Sequence, residues 1–210
     1  MSNLLKFYYK QFRSIGIYNS LILSTLMPIL IFFFLSNKSI IQEHGLILII
    51  VINIISNIGL IDKIFKYDFE TGILEHVLVS YEVGKVVLAK FIHFSLISIL
   101  SISINIISLI LLFDINIIEF TEFITPIIIL FLILNLNLVL IGAIRVYFDK
   151  NGTLLASLIL PFMISPVILC GSYIETSQKF FIYLLLGTLL ILFPIIFAFT
   201  VFLIKEIYNN

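Results

Sequence analysis

Charged residues punctuate this chain and leave six long apolar gaps, at 14–37, 45–61, 91–113, 123–144, 151–174 and 180–204. A helix needs about 17–25 residues to cross the hydrocarbon core of a bilayer; all six gaps fit, the second at the lower limit. Backbone in lipid must satisfy its own hydrogen bonds, so apolar stretches of this length are helices. The apolar/polar alternation of a membrane β-barrel is missing. The pattern predicts an all-α integral membrane protein with one transmembrane domain over 1–210. Its spans are expected near 17–36, 45–64, 88–113, 123–146, 152–174 and 180–204.

Two segments outside these gaps have helical periodicity. In residues 1–15, Leu4, Leu5, Tyr8, Tyr9, Phe12 and Ile15 share one arc of a helical wheel, and Lys6, Lys10 and Arg13 cluster opposite. A basic, aromatic-bearing amphipathic helix suits the headgroup layer. The plainer reading is a positive flank that fixes topology. Between the second and third spans, residues 68–82 place Phe69, Ile73, Leu74, Val77, Leu78 and Tyr81 on one half of the wheel. Asp68, Glu75 and Glu82 recur every seven residues as an acidic stripe on the other half, and Glu70 intrudes on the apolar side. Such a helix either lies in the headgroup layer or presents one face to a partner. Anionic lipid repels an acidic stripe, which favours a protein partner. A solvated loop helix without a partner is the alternative.

Composition strengthens the membrane reading. With 61% hydrophobic and 11% charged residues, the chain carries too few charges to cover a water-soluble surface. Lys6, Lys10, Arg13, Lys63, Lys66, Lys85, Lys90, Arg145, Lys150 and Lys205 fall on one side if the spans alternate, and only Lys38 and Lys179 on the other. The positive side is the cytoplasmic one, so both termini are expected inside. The outer loop holding Asp114, Glu119 and Glu122 has no positive charge, which agrees. The first apolar run is too long for a signal-peptide core and no A-x-A-like cleavage site follows it, so it reads as a retained helix. A net charge of zero gives no sign of a nucleic-acid partner.

Motifs for chemistry are missing. No G-x-x-x-x-G-K-[ST], H-E-x-x-H, C-x-x-C or G-x-S-x-G occurs, and no span is expected to bury an Asp, Glu, Lys or Arg. The chain reads as no enzyme, with no bound cofactor or metal, and any energy source lies in another subunit. His93, about one turn inside the third span, reads as an interfacial hydrogen-bonding residue. His44 lies at the outer end of the second span. Asn53 with Asn57, and Asn135 with Asn137, either hydrogen-bond between helices or line a pathway. Pro161 and Pro166 should kink the fifth span, as a gating hinge or merely as helix shape. Gly142 and Gly171 are expected at close helix contacts, and Cys170 as a small core residue.

The order of elements is similar to the permease plan of ABC-2-type exporters, and two blocks narrow it. D-F-E-T-G-I-L-E-H-V-L-V-S at 68–80, followed by V-L-A-K-F-I-H-F at 87–94, is one. The other is Gly142 and Ala143, then K-N-G-T-L-L at 150–155 and L-P-F-M-I-S-P-V-I at 160–168. These resemble the haem exporter B family, CcmB, the permease of cytochrome c maturation, over nearly the whole chain. The loop at 175–179 is shorter than is typical there, and Phe94 stands alone where a Trp-rich aromatic pair is usual. The resemblance implies a multi-pass inner-membrane permease (mitochondrial if organelle-encoded), working as a homodimer with a cytoplasmic ABC ATPase and a haem-handling membrane protein bearing a W-W-D motif. Having no tryptophan, this chain is not that W-W-D protein. The resemblance further implies that 68–82 is the coupling helix. Asp68, Glu70, Glu75 and Glu82 would supply charged contacts to the ATPase, Leu74 an apolar one, and Gly72 close approach. The substrate would be haem, with His93 and, where exported haem would pass, His44 as candidate ligands because a neutral imidazole suits iron, or ATP would be used to release the haem-loaded chaperone. A permease for another amphipathic substrate and a non-transporting scaffold are the alternatives.

Overall fold

The computed structural model describes residues 1–17, 19, 23, 25–26, 30, 38–113, 117–148 and 160–209, excluding the side chains of 2, 38–44, 112–113, 117–121 and 160. Most of the first predicted span, the 150–155 block, the start of the fifth span and the side chain of His44 lie outside the described residues. Helix α1 is Ser2–Ser14 and α2 is Lys38–Ile58. A 3-10 turn, Ile61–Lys63, leads into two short helices, α3 (Lys66–Glu70) and α4 (Ile73–Ser80). Helices α5 (Val83–Phe113), α6 (Ile117–Tyr147), α7 (Leu160–Thr176) and α8 (Lys179–Asn209) complete the chain. Every described element is helical.

Among the described residues, three helices are long and apolar enough to cross a membrane: Val83–Leu111, Glu122–Tyr147 and Lys179–Asn209. They fall on the third, fourth and sixth predicted spans. A shorter apolar helix, Gly45–Ile58, falls on the second. Helix α6 is the centre of the bundle. It packs against α2, the 3-10 turn, α3, α5, α7 and α8, and 89% of its most apolar stretch is buried, against 11% for α8. Phe131, Leu130, Ile133 and Leu134 sit in the core, whereas Tyr183, Leu190, Ile191 and Ile195 of α8 face outward. In water such an exposed row would drive aggregation; in lipid it is the matching surface.

The 59–82 connection folds back onto the bundle. Gly142 of α6 makes room for it: a Cβ there would meet Ile64 Cβ and Phe65 Cδ2 at 3.4 Å and the Ile61 carbonyl oxygen at 3.5 Å. Arg145 then pairs with Asp62 at 3.0 Å. Close packing at Gly142 is as the sequence suggests. Gly171 differs: nothing lies within 4 Å of where its Cβ would be, so no helix crosses there among the described residues. Pro166 is buried inside α7 and Pro161 is exposed at its second residue.

Candidate functional site

The connection was expected to hold one amphipathic helix over 68–82; the structure divides it. Thr71 and Gly72 separate α3 from α4, and Gly72 takes a left-handed φ of 71°, which glycine adopts without steric penalty. The junction is closed by its own backbone. Thr71 N–H donates to the Tyr67 carbonyl at 3.1 Å, Gly72 N–H to that of Phe69 at 3.1 Å, and the Thr71 hydroxyl to Tyr67 at 2.7 Å. Because the chain turns here, a heptad drawn through it does not describe one face. Glu75 and Glu82 are exposed, but Asp68 faces inward and is 0% exposed. Leu74 is buried with Val77, so it packs inside the protein and offers no surface contact; Val79, 75% exposed, is the apolar side chain that α4 presents. Glu70 stays at the surface, 3.8 Å from Lys66.

Asp68 is the centre of a buried charge cluster. Lys90 Nζ, also 0% exposed, lies 2.5 Å from Asp68 Oδ2 and donates to the Ile64 carbonyl as well. Gln11 Nε2 donates to Asp68 Oδ1. The Lys90 ammonium sits over two ring faces, 4.4 Å from the Phe65 centroid and 5.1 Å from that of Tyr8, where the ring quadrupole attracts a cation. Withdrawing either charge from water alone costs on the order of several kcal/mol, so each is tolerated only beside the other. Burial, and then the Asp68 carboxylate, raises the Tyr8 phenol above its ordinary pKa and keeps it neutral. The cluster thus binds three separate parts of the sequence: α1, the 64–68 stretch and the start of α5.

This corrects the expectation that no span buries a charge. Lys90 lies within the candidate span Val83–Leu111, and sequence reading had left it as an ordinary positive flank. A flanking lysine usually snorkels to water; here the returning connection covers it and supplies the counter-charge. His93, one turn further, is buried among the Tyr8 and Phe12 rings at centroid distances of 6.5 and 6.0 Å, with Nδ1 3.1 Å from the Ala89 carbonyl. No group of three metal-ligating side chains occurs among the described residues.

Deeper along α5 runs a neutral polar seam. Ser98 Oγ lies 3.2 Å from both Asn57 Oδ1 of α2 and Asn135 Oδ1 of α6, and 3.0 Å from its own helix's Phe94 carbonyl. One hydroxyl proton serves one of these acceptors at a time, and a turned amide can donate to the oxygen instead. Ser101 Oγ bridges Asn53 Oδ1 at 3.1 Å and Thr25 Oγ1 at 3.2 Å. Asn53, Asn57 and Asn135 are thus inter-helix hydrogen-bonding residues, while Asn137 Nδ2 turns to the Ile133 carbonyl of its own helix. The serines were missed by sequence reading. Ser98, Ser101 and Asn105, three and four apart in an otherwise apolar helix, were the available signal.

The family model for CcmB protein matches residues 8–204. An uncharacterised protein of Rickettsia conorii is 31% identical over 169 residues, covering 80% of this chain and 79% of its own. One from Rickettsia prowazekii is 29% identical over the same length and shares. No solved structure matches. The chain therefore belongs to the CcmB family, the haem exporter B permeases of cytochrome c biogenesis, and is a membrane-embedded, non-catalytic component of haem export.

Proposed function

We propose that this chain is the membrane half of an ABC-type exporter whose ATP is hydrolysed in a separate cytoplasmic subunit. It lies in an inner membrane as six spans in an ABC-2-like arrangement, both termini inside, as a homodimer beside a W-W-D haem-handling protein. The observation that carries this reading is α4: a short helix presenting Glu75, His76, Val79 and Ser80 outward while Leu74 and Val77 fasten it to the bundle. A surface with one apolar side chain among polar ones suits a groove on a partner that binds and releases. Closure of the ATPase around α4 would push the connection, and the bundle would respond by passing haem outward or by freeing a haem-loaded chaperone.

The deciding experiment reverses the exposed charges in E75K/E82K. The ATPase is expected to co-purify about tenfold less, equivalent to about 1.4 kcal/mol, and cytochrome c assembly to fall with it. Undiminished co-purification together with undiminished cytochrome c assembly would remove α4 as the docking element.

A further inference from the structure

We propose that the Asp68–Lys90 ion pair is the pin that makes α1, the α3–α4 connection and α5 move as one body, which puts the N-terminal helix inside the coupling machinery. This rests on the reading of α4 as the ATPase-facing element. Three observations support it.

The first is convergence. Asp68 accepts from Gln11 of α1 through Oδ1 and from Lys90 of α5 through Oδ2, so a single carboxylate holds both helices. Tyr8 on the Lys90 ammonium, and Phe12 beside His93, add two more α1-to-α5 attachments.

The second is what kind of force such a joint transmits. Apolar contacts are non-directional and can slide. Two unit charges sealed from water cannot separate without exposing each to an apolar surrounding, so they keep one register as the elements move. The neighbouring joint is short: only Thr71 and Gly72 separate α3 from α4, and their N–H groups close the end of α3 on Tyr67 and Phe69, so displacement of α4 reaches Asp68.

The third is where the motion goes. Helix α5 runs without interruption for 31 residues. Lys90 to Asn105 spans roughly 22 Å at 1.5 Å per residue, and Ser98 and Ser101 on that path hold α2 and α6. A push on Asp68 therefore arrives at the polar seam through one rigid rod. Asp68 and Lys90 are positioning residues in this scheme and touch no substrate.

The test is the double variant D68N/K90M in the complete complex with its ATPase, read four ways. Replacing both members of a buried pair by uncharged side chains is often neutral for stability, so the protein should accumulate and resist heat like the parent. Co-purification of the ATPase and its ATP hydrolysis should persist, because Glu75, Val79 and Glu82 are untouched. Cytochrome c assembly should fall about tenfold, a typical coupling energy: ATP is consumed without output. D68E, which keeps the charge, should recover most of that assembly. Parental assembly in D68N/K90M would overturn the pin, and so would a double variant that does not accumulate, which makes the pair a folding requirement. If instead E75K/E82K leaves ATPase binding and assembly intact, the docking reading has failed and not the pin.

Discussion

Two polar assemblies occupy the same face of α5, and they are built on opposite principles. Near its start, Asp68 and Lys90 are full charges, wholly buried and paired with each other. About two turns deeper, Ser98 and Ser101 join three asparagines by neutral hydrogen bonds. Within apolar surroundings a neutral hydrogen bond is replaceable, because partners remain at hand even when helices separate. A charge has a single acceptable partner. The ionic site should thus tolerate one pairing and little else, whereas the neutral seam should tolerate loss of any one member. That contrast can be broken by measurement.

The largest effect is expected at the ionic site. K90M alone leaves Asp68 buried and uncompensated and should cost about 3–5 kcal/mol, read as a lowered temperature of aggregation in detergent. D68N should do nearly as much, and D68N/K90M less than either. Next comes the packing beneath the connection: G142V would drive a branched side chain against Ile64, Phe65 and the Ile61 carbonyl, and should cost about 1–3 kcal/mol in the same assay. S98A should be milder, about 0.6 kcal/mol and at most about 1.7, with a double-mutant cycle against N57A giving the share that belongs to the α2–α5 contact. Should S98A cost as much as K90M, the distinction between the two assemblies would be lost. Smallest of all is the exposed Glu82–Lys85 pair at 3.1 Å, where E82A should change stability by less than about 0.5 kcal/mol.

Legibility in the sequence divides along a similar line. Long apolar helices were readable because lipid imposes length and apolarity on each helix separately; three candidate spans overlap the third, fourth and sixth expected ones. Gly142 was readable as a close contact because small residues in spans usually mean that. Hidden from view was everything set by chain return. The heptad of Asp68, Glu75 and Glu82 was real in the sequence, but the helix breaks at Gly72 between the first and second, so Asp68 turns inward while Glu75 stays wet. Leu74 followed for the same reason. Lys90 looked like a topology signal because nothing local says that residues 64–68 will cover it. Gln11 drew no attention at all: its partner stands 57 positions away, and no periodicity spans that distance.

Cys170, the chain's sole cysteine, is sealed inside α7. A thiol-reactive, membrane-impermeant dye should therefore leave the native protein unlabelled, and a cysteine set at an outward position such as Val79 would be the sole target. Adding the dye to intact cells and then to inverted vesicles would reveal which compartment that helix faces.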